Sequence, residues 1–182
     1  MPRLTSLEDI ERLYAARGDL TYGEDVTQLE HAVQCASLTQ AAGHPASLVV
    51  AALLHDIGHL FEDERDVVMA AKDRHHEIAG SRILSFLFGP EVCDPIAHHV
   101  AAKRYLCYRD TSYYNGLSAA SKASLVLQGG PFDPDAAAAF EQLPFWQAAM
   151  ALRRFDDMGK RAEHCGRPFA DFRHLLQRAA KT

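Results

Sequence analysis

An apolar run that ends in ionisable side chains constrains the fold of this chain more than any other feature. Residues 51–54 read Ala-Ala-Leu-Leu, and His55 and Asp56 follow directly, with His59 four residues after His55. A segment this apolar is buried on any helix, so the ionisable groups at its end enter the interior with it. Burying them costs several kcal/mol unless something compensates, and a metal ion is the usual compensation. The run therefore predicts a metal site inside the core.

Length, charge and cysteine spacing limit the class of protein. The chain has 182 residues, enough for one full core, and we expect a single domain over residues 1–182. Its formal net charge of -5 argues against a nucleic-acid groove as the main function. The four cysteines are widely spaced and form no Cys-x-x-Cys pair, which favours reduced thiols in a cytoplasmic protein. No apolar signal core and no run of membrane-spanning length is present, so we expect no membrane association.

Apolar residues recur at helical spacing along the chain, and no stretch shows the alternation typical of a strand. A capping-box spacing at Thr5 and Glu8 opens the first helix, and Pro95 falls in the first turn of a later one. We predict helices near residues 7–18, 26–42, 46–61, 74–87, 92–105, 117–128, 132–142, 145–160 and 168–180. The expected fold is all-α, a helical bundle with its core at about 20–160 and an amphipathic C-terminal helix at about 168–180.

Helical spacing also predicts which histidines face the interior. His31 shares a face with apolar residues of its helix, although a single inward histidine is more often a hydrogen-bonded core residue than a ligand. His76, rather than His75, lies on the apolar face of its helix. His99, rather than His98, lies on the apolar stripe of the helix at 92–105. We therefore expect three separate helices to direct an imidazole inward.

These groups are more informative together than singly. The imidazoles and carboxylates predicted to face inward from five helices are His31, His55, Asp56, His76, His99 and Asp156. Helical bundles build metal sites in this way, from side chains of facing helices. Nitrogen and oxygen ligands without thiolate suit iron, manganese or zinc and disfavour a structural zinc site. Since Asp56 adjoins His55, its carboxylate can bridge two metals.

Two cationic residues accompany the predicted ligands. Lys103 follows His99 by one turn on the same helix face. A lysine directed into such a pocket either extends its amine to solvent, which is the commoner case, or binds an anion. Arg153 can share a helix face with Asp156. The loop at 19–25, by contrast, reads on its residues alone as an ordinary connector.

The order of the predicted ligands resembles a known superfamily. His31, then His55-Asp56, then Asp156 follow the H…HD…D order of the HD-domain superfamily of metal-dependent phosphohydrolases. Residues 55–58 match its HDIG form. By itself this resemblance implies phosphate-ester hydrolysis, in which two metals activate water and hold the leaving oxygen.

Further strings narrow the resemblance. These are QLEH at 28–31, HE at 76–77, HVAAKRYL at 99–106, QGGP at 128–131 and RRFD at 153–156. With them the chain, from about Leu20 to about Lys160, resembles the small HD-domain mixed-valent diiron oxygenases of organophosphonate breakdown, typified by 2-amino-1-hydroxyethylphosphonate dioxygenase. The resemblance implies that the six ligands bind a mixed-valent Fe(II)/Fe(III) pair bridged by Asp56, with O2 as co-substrate.

The resemblance also implies how substrate is held. Lys103, Arg153 and Ser121 would bind the phosphonate, with Gln128 nearby, and His59 and Lys103 would support catalysis. Glu24 would meet the substrate amine. The tyrosine that pairs with it in the family aligns with Thr21, and Tyr22 is one position away. An aromatic residue there would suit a trimethylammonium group as well as a free amine.

The implied reaction cleaves the C–P bond of a 1-hydroxy-2-aminoethylphosphonate, free or N-methylated at the amine. Its products are phosphate and glycine or an N-methylated glycine. A separate hydroxylase would make the 1-hydroxy substrate. Two alternatives stay open at this point: an HD-superfamily phosphohydrolase acting on a nucleotide or phosphomonoester, and a degenerate HD domain that serves only as a binding module.

Overall fold

The computed structural model describes residues 4–21, 26–61, 75–160 and 167–181. These residues form ten α-helices and two short 3-10 helices. Within these ranges there is no strand, and the one β feature is an isolated bridge between Phe88 and Ala180. The all-α prediction is confirmed. The helices are α1 (Leu7–Arg17), α2 (Gln28–Ala41), α3 (Ala46–Leu54), a 3-10 helix (Ile57–Phe61), α4 (His76–Leu84), α5 (Pro90–Arg109), α6 (Thr111–Gly116), α7 (Ala119–Leu127), α8 (Pro134–Phe140), α9 (Trp146–Met158), a second 3-10 helix (Phe169–Phe172) and α10 (Arg173–Ala179).

Capping boxes begin the first two helices. In α1 the Ser6 hydroxyl accepts the backbone N–H of Asp9, and the Asp9 carboxylate accepts the backbone N–H of Ser6. The predicted box at Thr5 and Glu8 is therefore one residue too early. Thr27 begins α2 in the same way as Ser6 begins α1, so α2 starts just after the predicted boundary.

The helix that carries the apolar run is shorter than predicted. It was expected to continue to Phe61, but α3 ends at Leu54, and a turn at His55 and Asp56 leads into a 3-10 helix. Neighbouring residues of a continuous α-helix point about 100° apart. The turn instead brings Nε2 of His55 within 3.5 Å of Oδ2 of Asp56. The prediction was wrong because apolar residues continue to 61, and periodicity does not distinguish the two helix types over so few residues.

A glycine allows the turn to pack tightly against the next helix. A Cβ at Gly58 would lie 2.1 Å from the backbone oxygen of His76, the first residue of α4. Any side chain there would therefore separate the 3-10 helix from α4. Gly58 thus holds the HDIG turn against the helix that presents His76.

The middle of the chain also differs from prediction, at the start of α5 and in an additional helix after it. α5 begins at Pro90, where a missing N–H costs nothing in the first turn, rather than at Val92. Pro95 consequently lies inside the helix instead of in its first turn. α6 was not predicted from its polar and aromatic sequence, and Asp110 caps it by accepting two backbone N–H groups.

The main core joins the two ends of the chain around α3. Its buried residues run from Leu4 to Leu176, and every residue from Leu48 to Leu54 is buried. α9 packs against α2 and α5, and all three of these helices pack against α3, while α4 packs on α5 and on the 3-10 helix. Across the ranges given above, no helix unites the length and the apolar character that crossing a bilayer requires.

Candidate metal centre

The structure brings all six predicted ligands together at the end of α3. They come from α2, the turn after α3, α4, α5 and α9, and most are buried almost completely. His75 and His76 separate as predicted, because the side chain of His75 is 69% exposed and that of His76 is 11% exposed. His99 is likewise buried.

Four of the six side chains form a first donor group, which we call the first position. Nε2 of His31 lies 3.2 Å from Nε2 of His55. The same His31 atom lies 3.4 Å from Oδ1 of Asp156 and 3.5 Å from Oδ2 of Asp56. Nε2 of His55 is 3.9 Å from Oδ1 of Asp156. Two imidazoles and two carboxylates therefore surround one small space.

The other two histidines form a second donor group with the same bridging residue, the second position. Nε2 of His76 lies 3.2 Å from Nε2 of His99. Oδ1 of Asp56 is 3.4 Å from the His76 nitrogen and 3.7 Å from the His99 nitrogen. Asp56 thus turns Oδ2 to the first position and Oδ1 to the second. A carboxylate shared in this way is the arrangement expected of a bridge between two metals.

Backbone carbonyls orient three of the imidazoles. Nδ1 of His31 lies 3.0 Å from the oxygen of Gly159. Nδ1 of His55 and Nδ1 of His99 lie 2.9 Å and 2.8 Å from carbonyl oxygens three residues earlier. A carbonyl can only accept, so the neutral imidazole carries its proton on Nδ1 and keeps a lone pair on Nε2. Each ring is held as a metal-binding tautomer.

The donor groups fit metal ions in both spacing and charge. Nε2 of His31 and Nε2 of His55 face each other, and their lone pairs repel unless a proton or a metal cation lies between them. Metal–nitrogen and metal–oxygen distances of about 2.0–2.2 Å place neighbouring ligand atoms roughly 3–3.5 Å apart. The shortest nitrogen–nitrogen contact in each group, 3.2 Å, falls in that range. The residues present therefore fit two metal ions that share Asp56.

The protonation preferences of the ligands point the same way. Burial raises the pKa of Asp56, but the imidazoles of His55 and His76 outweigh it and hold that pKa well below its usual value. Burial lowers the pKa of His55, yet Asp56 and Asp156 raise it to about 9. Burial and the charge of His76 hold the pKa of His99 well below its usual value. The carboxylates stay ionised and draw positive charge into the centre.

Two lysine–serine pairs lie beside the first position. Lys103 is buried and donates from Nζ to Oγ of Ser124 at 2.9 Å. Lys160 donates from Nζ to Oγ of Ser121 at 3.1 Å and lies 3.7 Å from Oδ1 of Asp156. The commoner expectation for Lys103, an amine extended to solvent, is therefore wrong. Burial and the nearby guanidinium of Arg153 lower the pKa of Lys103 to about 8.

Sequence reasoning identified Lys103 and Ser121 but missed their partners. Helical spacing places each partner one turn from a residue that was identified, Ser124 after Ser121 and Lys160 after Asp156, but it does not show that Lys103 contacts Ser124 or that Lys160 contacts Ser121. We call Lys103, Ser121, Ser124 and Lys160 the lysine–serine cluster.

The guanidinium of Arg153 is already held by other side chains of the protein. Its Nη1 donates to Oδ2 of Asp156 at 2.6 Å, and its other nitrogens contact Asp157. Its Nε also lies 3.1 Å from the hydroxyl of Tyr113. Arg153 therefore holds Asp156, whose pKa it keeps well below the usual value against the effect of burial. Its role in binding phosphonate stays a prediction.

The structure describes two of the other predicted substrate residues, His59 and Gln128. His59 stacks on His76, with ring centroids 3.9 Å apart. The side-chain oxygen of Gln128 is buried and has no hydrogen-bond partner, as expected of an atom that receives a ligand. Tyr22 and Glu24 lie outside the described residues, and Thr21 is exposed.

One further carboxylate near the second position was not predicted as a site residue. Glu77 is buried, and its Oε2 lies 3.6 Å from Nδ1 of His76. Its Oε1 lies 3.4 Å from Nδ1 of His75. His76 thus has a carboxylate beside Nδ1, at a distance too long for a hydrogen bond, where the other three histidines are oriented by carbonyls.

A family model and three known proteins are similar to this chain. Residues 29–125 match the family described as HD domain. The chain is 41% identical over 174 residues to a [1-hydroxy-2-(trimethylamino)ethyl]phosphonate dioxygenase (glycine-betaine-forming) of Leisingera caerulea, covering 94% of this chain and 89% of that protein. It is 46% identical over 160 residues to a hydroxymethylphosphonate dioxygenase of Gimesia maris, covering 87% of this chain and 78% of that protein. An uncharacterized protein of Acanthamoeba polyphaga mimivirus is 32% identical over 177 residues, covering 95% of this chain and 81% of that protein.

Proposed function

The chain belongs to the HD-domain family, and we propose that it is an O2-dependent oxygenase that cleaves the C–P bond of a 1-hydroxyphosphonate. The observation that carries the proposal is the shared carboxylate of Asp56, which joins two histidine groups beside a lysine–serine cluster. Two of the relatives are named as phosphonate dioxygenases. A metal pair next to buried cations suits a reaction in which a phosphonate is bound and oxidised.

The proposed cofactor is a pair of iron ions in the Fe(II)/Fe(III) state. His31, His55, Asp56 and Asp156 would hold one ion, and Asp56, His76 and His99 the other. Bound iron would supply the redox chemistry with O2, which these side chains lack. A C–P bond has no good hydrolytic leaving group, and oxidation of the carbon is what makes it break.

The chain's own contribution is to bind and orient the phosphonate. Lys103 and Lys160 bring two positive charges, and Ser121 and Ser124 bring hydroxyls that can donate to phosphonate oxygens. We propose that Arg153 also contacts the phosphonate while it holds Asp156. Because this region is buried, bulk water is excluded and the charge interactions are stronger than at the surface.

The proposed substrates are 1-hydroxyphosphonates with an amine on the second carbon, free or N-methylated. Oxidation with O2 would convert R–CH(OH)–PO3 into the carboxylate R–COO and phosphate, so glycine or an N-methylated glycine is the expected second product. We propose that Glu24 and Tyr22 meet the amine and that His59 and Gln128 line the substrate space. The unpartnered oxygen of Gln128 supports this assignment.

We propose that a separate hydroxylase supplies the 1-hydroxy substrate, because the reaction begins from a carbon that already carries oxygen. We also propose a cytoplasmic location, supported by the free, buried thiols of Cys35, Cys93 and Cys107. The proposal of one domain over the whole chain is supported by the core that runs from Leu4 to Leu176.

Oxygen dependence is the test of this function. The iron-loaded protein is incubated with hydroxymethylphosphonate and with 1-hydroxyphosphonates bearing free, mono-, di- and trimethylated amines, with and without O2. We expect phosphate together with the matching carboxylate, and only when O2 is present. Equal phosphate release without O2, or full activity with manganese alone, would show a phosphohydrolase instead. A chain that retains less than about one metal ion after loading would indicate a binding module.

A further inference from the structure

The last turn of α9 holds both edges of one imidazole. Oδ1 of Asp156 lies 3.4 Å from Nε2 of His31, and the backbone oxygen of Gly159 lies 3.0 Å from Nδ1 of the same ring. His31 belongs to α2 and the other two residues to the end of α9. The position of this ring therefore depends on the distance between the two helices.

At Gly159 the end of α9 lies directly against Cys35 of α2. Its φ of -80° and ψ of 17° are open to any residue, so backbone freedom does not require glycine here. The lack of space requires it, because a Cβ at Gly159 would lie 2.4 Å from Sγ of Cys35 and 3.2 Å from the backbone nitrogen of Cys35. Any larger residue would have to push α9 away from α2 or move the cysteine.

Cys35 cannot move without disturbing the ligand. Its side chain is fully buried, and its thiol donates to the backbone oxygen of Phe155 at 3.5 Å. Its Sγ also lies 3.6 Å from Nδ1 of His31, one turn earlier on α2. The thiol therefore fills the space between the His31 ring and the final turn of α9.

From these contacts we infer that Gly159 and Cys35 are positioning residues that set the spacing of α2 and α9, and so hold His31 and Asp156 at the first position. This inference rests on the metal centre of the proposed function but not on its substrate or reaction. It predicts that the two residues are matched in size. A side chain gained at 159 is tolerated only if one is lost at 35.

Metal binding by size-matched variants tests the inference. Gly159→Ala, Cys35→Ala and the double variant are loaded with Fe(II), and the metal retained and its affinity are measured, together with the melting temperature of the metal-free protein. Gly116→Ala is the matched control, because nothing lies within 4 Å of a Cβ at that glycine. We expect Gly159→Ala to weaken metal binding about tenfold or more, Gly116→Ala to change it less than about twofold, and the double variant to recover most of the loss.

Cys35→Ala alone separates positioning from direct ligation. We expect a smaller loss of metal binding than in Gly159→Ala, because the Gly159 carbonyl still holds His31. If Cys35 were itself a ligand, this variant would lose metal and could not rescue Gly159→Ala. If Gly159→Ala fails to fold, Cys35→Val tests the same contact by enlarging the residue on α2. We expect Cys35→Val to weaken metal binding in the same way as Gly159→Ala.

Three results would overturn the inference: wild-type metal binding by Gly159→Ala, wild-type metal binding by Cys35→Val, or a double variant no better than Gly159→Ala. In each case the wild type still binds metal, so the proposed function stands. A wild-type chain that binds no Fe(II) would instead overturn the proposed function, and this inference with it.

Discussion

The two metal positions use the same kinds of ligand but are built differently. At the first position, His31 and His55 are oriented by backbone carbonyls, and three cationic side chains lie close by: Arg153, Lys160 and Lys103. At the second, His99 is also oriented by a backbone carbonyl, but His76 begins a helix and has the carboxylate of Glu77 3.6 Å from its Nδ1 in place of a carbonyl. Both histidines of the first position are therefore held by backbone carbonyls, and only one histidine of the second is. We therefore expect the first to bind metal more tightly.

Removing the shared ligand, Asp56, is expected to have the largest effect, because both metal positions lose a ligand at once. Asp56→Ala takes an oxygen from both positions and leaves facing imidazoles with no anion between them. We expect loss of both metals and activity below detection, measured by elemental analysis and phosphate release. Asp135→Ala, an exposed carboxylate on α8, is the matched control. Retention of two irons per chain by Asp56→Ala would rule out the bridge.

Single-ligand variants compare the two positions directly. His31→Ala and His76→Ala each remove one imidazole, and we expect each to retain about one metal per chain. Because the first position is the more rigid, the metal that remains in His76→Ala should be bound about tenfold more tightly than the metal that remains in His31→Ala. Titration with Fe(II) under anaerobic conditions measures both. The reverse order of affinities would show that orientation by backbone carbonyls does not decide metal affinity here.

The buried charge of Lys103, beside the first position, is expected to lower the free energy of unfolding by a measurable amount. The pKa of Lys103 is about 8 in the folded chain and 10.5 in its unperturbed form. Between these values the unfolded chain binds more protons than the folded chain, so stability rises with pH there. Below pH 8 the buried charge costs up to about 2–3 kcal/mol. In denaturant titrations near pH 7, the free energy of unfolding of metal-free Lys103→Met should exceed that of the metal-free wild type by this amount. The difference should vanish by about pH 10.5.

The same shift predicts how phosphonate binding depends on pH. As pH rises through about 8, Lys103 loses the charge that attracts the anion, so KM for the phosphonate should rise. Lys103→Arg stays charged and should keep a flat KM over this range, whereas Lys103→Met should show a KM that is high at every pH. A wild-type KM that does not change between pH 7 and pH 9 would exclude a charged Lys103 from phosphonate binding.

How far the sequence predicts this site depends on how local each feature is. Helical periodicity separates His76 from His75 and His99 from His98 because each choice involves one helix face, and the structure agrees. The apolar pattern continues through the turn at Asp56, so periodicity wrongly predicts that α3 continues past it. The all-α class follows from the same periodicity and is the most secure prediction.

Features that depend on distant segments were not predicted. The buried state of Lys103 depends on Ser124, which arrives from another helix. The engagement of Arg153 depends on Tyr113, from a short helix that the sequence does not reveal. The need for glycine at 159 depends on Cys35, more than a hundred residues earlier. Each is a long-range contact, about which a pattern within one helix carries no information.

The smallest expected effect concerns the carboxylate that distinguishes the second position. Glu77→Gln keeps the shape of the side chain but removes the negative charge that lies 3.6 Å from Nδ1 of His76. Since a negative charge beside an imidazole makes it a stronger donor to metal, we expect the second position to weaken about five- to tenfold and the first to remain unchanged. Glu141→Gln is the matched control, because that carboxylate pairs with Arg109 on a separate core cluster. An equal loss of metal affinity at both positions would mean that Glu77 acts on the helical bundle as a whole. The proposed difference between the two positions would then be wrong.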